Sequence, residues 1–256
     1  MPEPAITPQP CGHLIQTYTD DAFLARVVVG YVAEGLRQGA GAVLVATPEH
    51  TNDFIEGLTT SGVDILAAFG ARQVLCLDAV RTLGRIVIDG MPDRAAFFSV
   101  VTAALGQVRD AGFSSIRVYG EMVDLLWRQS LEATLRLEGF WNEALTDPCL
   151  SLLCGYRIDP LDRPRQGLLR QVTQCHTRLL PDEDQERLEH AVDRAYAEVF
   201  GSDADVDLLR ELLLTSDHVL PPMPKAHATM LALADLPGRI PIDVSERARA
   251  YYRKRD

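Results

Sequence analysis

Five times before residue 155, a short and largely apolar run gives way to a stretch in which apolar residues return at helical spacing. The runs are Leu14–Tyr18, Ala42–Thr47, Gln73–Leu77, Ser115–Tyr119 and Cys149–Cys154. Short runs that are apolar on both faces suit strands covered by helices above and below. Such strands run parallel, because the helix between them carries the chain back to the starting edge. The alternation therefore predicts an α/β fold, a three-layer α/β/α arrangement around a mainly parallel five-stranded sheet.

The intervening stretches differ in length. Phe23, Val27, Val28, Tyr31, Val32 and Leu36 form one apolar stripe that ends near Gly39 and Gly41, where a helix stops readily. Phe54, Ile55 and Leu58 form a shorter one before Ser61-Gly62. The third crossover reads as two helices, Ala79–Ile88 and Arg94–Val108, separated by Asp89-Gly-Met-Pro92. Pro92 is expected at or near the first turn of the second, where a missing N–H costs nothing. The fourth crossover, Met122–Leu145, carries Leu125, Leu126, Trp127, Leu131, Leu135, Phe140 and Trp141.

The texture changes after Tyr156. Arg157–Arg165 reads as a charged, proline-bearing linker, and residues 166–256 read as a helical C-terminal region. Its expected helical segments are Leu168–Leu179, Glu183–Phe200, Val206–Leu214, Ala226–Leu233 and Asp243–Arg253, with Pro221–Pro224 interrupting them. Residues 1–12 read as an extended leader and 13–156 as the α/β domain. The leucines at 208, 209, 212 and 213 make an apolar stripe that needs cover, from the α/β domain or from a second copy. A homodimer through the C-terminal helices is the expectation.

Charge narrows the list of partners. A formal net charge of -11 disfavours direct nucleic-acid binding and anionic membranes, since phosphate neutralisation needs clustered Lys and Arg. The one basic cluster, Arg249–Arg255, suits a helix end as well as it suits a ligand. No apolar run approaches the ~20 residues that span a bilayer, and the first residues lack the basic and apolar segments of a signal peptide. The expected setting is the cytoplasm. There, Cys11, Cys76, Cys149, Cys154 and Cys175 are not expected to form a disulfide framework, and Cys76, Cys149 and Cys154, inside apolar runs, read as small buried hydrophobes. Cys175-His176 and the pair Cys11, His13 offer soft ligands, but no CxxC or HxxxH spacing supports a metal. No cofactor is expected.

Ligands of an open parallel sheet bind beyond the carboxyl ends of the strands. The first such junction, His13-Leu-Ile-Gln-Thr-Tyr-Thr-Asp-Asp-Ala-Phe23, has neither the glycines nor the lysine of a phosphate-binding loop. The only lysines are Lys225 and Lys254, both far outside the α/β domain. Asp20 and Asp21 stand where the helix should begin, and a capping carboxylate occupies the end that would attract phosphate. Hydrolysis of a nucleotide by the phosphate-loop mechanism is not expected.

The blocks "GHLIQTYTDDAF", "GYVAEGLRQGAGAVLVATPEH", "LDAVRTLGRIVIDGMPD", "IRVYGEMVDLLW" and "LSLLCGY" together resemble the MEDS domain, the methanogen/methylotroph DcmR-type sensory domain. The resemblance spans roughly His13 to Tyr156 and leaves the helical region uncovered. It implies a RecA-like, KaiC-type core that has lost its phosphate loop and serves prokaryotic signal transduction, with simple hydrocarbon derivatives among the ligands.

On this reading the site residues are those that the strands deliver to the carboxyl edge: Tyr18, Thr19, Glu49, His50, Tyr119 and Glu121, with His13 and Trp127 nearby. His13 orients a ligand, binds a metal or packs under the first strand. Tyr18 offers a ring face and a hydroxyl. Glu49 and His50 line a pocket or belong to a capped helix start, with Thr51 or Asn52 as the cap. Glu121 holds a polar ligand head, an arginine or the next helix, and Trp127 is core or part of a ligand cage. No nucleophile and base are placed together by the sequence. The expected function is a non-enzymatic sensory or regulatory protein that binds a small-molecule ligand or a signalling protein. The alternatives are a residual nucleotide-binding ATPase and an interaction scaffold whose old pocket is filled by its own side chains.

Overall fold

The computed structural model describes residues 12–201, 221–234 and 239–253. Its contacts divide the chain into two units: one runs to Gln16 and from Asp20 to Tyr156, the other combines Thr17–Thr19 with the chain from Arg157 onward.

The first unit alternates strands and helices as the apolar runs require. In chain order these are β1 (His13–Tyr18, its last two residues grouped with the second unit), α1 (Asp21–Arg37), β2 (Gly41–Ala46), α2 (Pro48–Thr60), α3 (Ile65–Gly70) and β3 (Val74–Asp78). Then come α4 (Ala79–Ile86), a hairpin of β4 (Val87–Ile88) and β5 (Met91–Pro92), and α5 (Arg94–Asp110). The unit closes with β6 (Ile116–Gly120), α6 (Met122–Trp127), α7 (Leu131–Ala144) and β7 (Leu150–Arg157). Its five main strands lie in the order β3-β2-β6-β7-β1. The second unit has a short strand of its own, β8 (Arg178–Leu179), which the apolar runs do not reveal because a two-residue strand has no periodicity to read.

The pairs β2–β3, β2–β6 and β6–β7 are parallel, with Val43 opposite both Leu75 and Val118, and Val118 opposite Leu152. Every residue of β1, β2 and β6 is buried, whereas β3 is only partly so. That difference follows from position: β3 is an outer strand, and the inner ones are covered on both faces. Tyr31, Val32, Phe97, Leu137 and Trp141 supply the helical side of the core.

Helix starts follow side-chain chemistry. Asp20, Thr47, Asp64, Asp78, Asp93 and Ser130 each accept a backbone N–H in the first turn of the helix that they cap. The cap of α2 is therefore Thr47, not Thr51 or Asn52. Ser130 also explains why Met122–Leu145 forms two helices rather than one.

The segment expected to separate two helices is a tight hairpin. Asp89 and Gly90 both have positive φ, 50° and 80°, the conformation a two-residue hairpin turn demands and Asp-Gly supplies. Pro92 consequently ends β5 instead of opening α5.

The second unit is mainly helical: α8 (Arg163–Thr173), α9 (Gln185–Phe200), and the helices Lys225–Ala234 (α10) and Ile240–Arg253 (α11). Leu161, Leu188, Val192, Ala195, Tyr196, Met230, Leu233 and Val244 form a core of its own. Burying side chains of this size is worth roughly 1.5–3 kcal/mol each, enough to hold short helices together. The expected helix Val206–Leu214 and its leucine stripe, like Cys11 and most of the expected leader, lie outside the described residues. Among the described residues no helix is long and apolar enough to cross a membrane.

Candidate functional site

Parallel pairing of β2 with β6 sets Val45 opposite Gly120, so the residues just beyond the two strands meet at one edge. Glu121 follows β6, and its carboxylate accepts the backbone N–H of Thr47, the cap of α2. Its other oxygen accepts the Tyr119 hydroxyl at 3.0 Å and faces His50 Nδ1 at 2.6 Å. On the far side of the ring, His50 Nε2 lies 3.2 Å from Asp21 Oδ1.

Glu121 and Tyr119 are buried. His50 retains 12% of its side-chain exposure and Asp21 48%, so the chain of polar groups runs from the interior outward. Phe54 supports it from below, stacked at 5.8 Å on His50 and edge-on at 5.2 Å to Tyr119.

Both ring nitrogens of His50 face carboxylate oxygens, which only accept hydrogen bonds. This environment favours the doubly protonated imidazolium, and the Glu121 hydrogen bond is the main reason that the His50 pKa is raised above its usual value. The imidazole is thus held between two carboxylates. Nearby, Asp20 Oδ1 accepts the Phe23 N–H at 2.8 Å and so occupies the start of α1. Capping side chains thus hold the helix starts that would cradle a phosphate.

A second polar cluster lies inside the same unit. His13, at the start of β1, and Cys154, on β7, stand side by side, with Nε2 3.4 Å from Sγ. Glu138 on α7 closes the group: its Oε2 is 3.2 Å from His13 Nε2 and 3.9 Å from Cys154 Sγ. The Tyr156 hydroxyl donates to Glu138 Oε1. His13 Nδ1 reaches Asn142 Oδ1 at 2.9 Å, one helical turn beyond Glu138. All but Asn142 are buried.

Of the residues expected at the carboxyl edge, His50, Tyr119 and Glu121 come together there. Glu49 is exposed in the first turn of α2, where its charge suits the helix start. Tyr18 and Thr19 group with the second unit, where Arg157 lies 5.0 Å above the Tyr18 ring and reaches the Thr19 carbonyl at 3.4 Å. Trp127 is core, buried at the end of α6 with its ring edge-on to Tyr156 at 6.2 Å. His13 belongs to the interior cluster.

Asp21 and Phe54 are additions to the edge beyond the expected site residues, as are Glu138, Asn142, Cys154 and Tyr156 in the interior. One signal was present: Glu138 follows Thr134 by four residues and precedes Trp141 by three, which places an acid on the buried face of α7.

Comparison with known families gives a match. The model described as MEDS, methanogen/methylotroph, DcmR sensory domain, matches residues 12–177, which is more than half of the chain. No curated protein matches significantly.

Proposed function

The chain belongs to the MEDS family of sensory domains, and on that premise we propose that it is a non-enzymatic sensory protein of prokaryotic signal transduction, reading its signal at the carboxyl edge formed by β2 and β6. The observation that carries this reading is the hydrogen bond of His50 to Glu121, with Tyr119 and Thr47 fixing the carboxylate from behind. Glu121 is thereby held rigidly, while His50 and Asp21 form its exposed end.

The chemistry selects the ligand class. Two carboxylates, an imidazole and aromatic faces suit a compact hydrogen-bond donor, a weakly polar molecule or a cation better than a triphosphate. Such a ligand competes with His50 for Asp21, which changes the hydrogen bonding of α2 against β6. Simple hydrocarbon derivatives with one amine or hydroxyl fit this description. The cytoplasm is the proposed setting, and none of the four described cysteines is in a disulfide.

The scaffold reading has one observation in its favour: both oxygens of Glu121 already have partners within the chain. Dimerisation through the C-terminal helices is proposed on the leucine stripe at 208–213, which lies outside the described residues. Native mass spectrometry of the purified protein separates sensor from scaffold. A copurified small molecule lost in His50→Ala supports sensing at this edge. A bare chain that takes up no small amine or alcohol at millimolar concentration favours the scaffold.

A further inference from the structure

We propose that His13, Glu138 and Cys154 form one face of a transition-metal site, suited to zinc, in the interior of the first unit. The first support is geometric. The three donor atoms stand 3.2, 3.4 and 3.9 Å apart. A tetrahedral zinc with N and O ligands at ~2.0–2.1 Å and S at ~2.3 Å sets its ligand atoms roughly 3.3–3.6 Å apart. The observed triangle needs adjustments of only a few tenths of an ångström.

The second support is the arrangement of protons. Asn142 Oδ1 can only accept, so His13 Nδ1 carries the hydrogen between them, which leaves Nε2 as the nitrogen that would give its lone pair to a metal beside Glu138 and Cys154. A ligating histidine is commonly oriented in this way, by a hydrogen bond from its other nitrogen. Tyr156 does the same for Glu138 by donating to Oε1 and leaving Oε2 directed at the cluster.

Charge is the third support. Glu138 and Cys154 are both 0% exposed and His13 is 1% exposed. A carboxylate so placed is costly unless neutralised. A divalent cation with one carboxylate and one thiolate is electrically balanced. Imidazole and thiolate together favour zinc or cobalt over magnesium or calcium. Binding releases the Cys154 thiol proton to solvent, so affinity falls as pH is lowered. This site is separate from the His50–Glu121 edge, and neither proposal depends on the other.

Cobalt(II) titration of the metal-stripped full chain tests the assignment. The expected result is one equivalent per chain, with the intense near-ultraviolet band of a sulfur–cobalt bond. Cys154→Ser should abolish that band while circular dichroism reports an unchanged fold. Asn142→Leu, which frees His13 to rotate, should weaken binding roughly 10- to 100-fold. If Cys154→Ser does not fold, X-ray absorption of the zinc-loaded wild type decides, with one sulfur expected at ~2.3 Å. Failure of the folded wild type to take up cobalt stoichiometrically would overturn the proposal. So would a sulfur band that survives in Cys154→Ser, or a zinc shell without sulfur.

Discussion

His50 Nδ1 lies 2.6 Å from Glu121 Oε2, across 71 residues of chain, because β2 and β6 are neighbours, Glu121 directly follows β6 and His50 sits in the first turn of the helix that follows β2. The contact turns a strand-pairing register into a charged pair at the sheet edge. Its imidazole is the exposed half and its carboxylate the buried one, so solvent and ligands reach the pair through His50.

The His50 pKa should lie above its ordinary value, and Glu121→Gln should lower it by removing the largest cause of the shift. A raised folded-state pKa adds stability in full below the unfolded value of ~6.5, and that stability is lost as pH rises through the folded pKa. Histidine ring NMR across a pH titration measures the shift directly. A His50 that titrates identically in the wild type and Glu121→Gln would rule the pair out.

ATP with magnesium at millimolar concentration should leave the melting temperature unchanged, since Asp20 caps the helix start that a phosphate would need. Asp20→Ala should cost about 1 kcal/mol through the lost cap. Calorimetry that detects micromolar ATP binding would contradict this.

Gly155→Ala should disturb the edge from beneath. A Cβ at Gly155 would stand 2.5 Å from the Tyr119 hydroxyl, which donates to Glu121. The ring must move, at a cost of about 1–3 kcal/mol for an overpacked interior. Chemical denaturation measures the loss, and near-ultraviolet circular dichroism reports the tyrosine. An alanine variant as stable as the wild type would show that the ring gives way freely.

The second unit should carry an acid-sensitive element. His227 is fully buried on α10, and neither ring nitrogen has a hydrogen-bond partner among the described residues. Burial pushes its pKa down to about 4. The unfolded chain therefore binds this proton first, and stability declines as pH falls from ~6.5 towards ~4, by about 3 kcal/mol at most. His227→Leu should flatten that part of the pH–stability curve. An unchanged curve would mean that His227 does not stay neutral in the folded protein.

The strands were legible because a buried parallel strand is apolar on both faces, and the five apolar runs match the five main strands closely at their starts. Val74–Asp78 ran one residue beyond its apolar run because Asp78 is both the strand end and the cap of α4. The Asp89-Gly90 hairpin was misread because two-residue strands carry no period, although the dipeptide itself is a hairpin signal. At the edge, residues that immediately follow β2 and β6 could be named in advance. Asp21 and Phe54 could not, since their roles depend on how helices pack. The interior cluster was hidden for a related reason: His13 and Cys154 are 141 residues apart and Glu138 comes from a third element. Spacing along the chain does not record such a meeting.

The central claim is that the carboxyl edge of β2 and β6 reads a small polar or cationic ligand. Amide NMR of the full chain titrated with short-chain amines and alcohols tests it most directly. The account predicts saturable shifts confined to residues around Thr47–His50 and Glu121–Asp124, and their loss in His50→Ala. Shifts centred elsewhere in the chain, or none with any of these ligands, would contradict it.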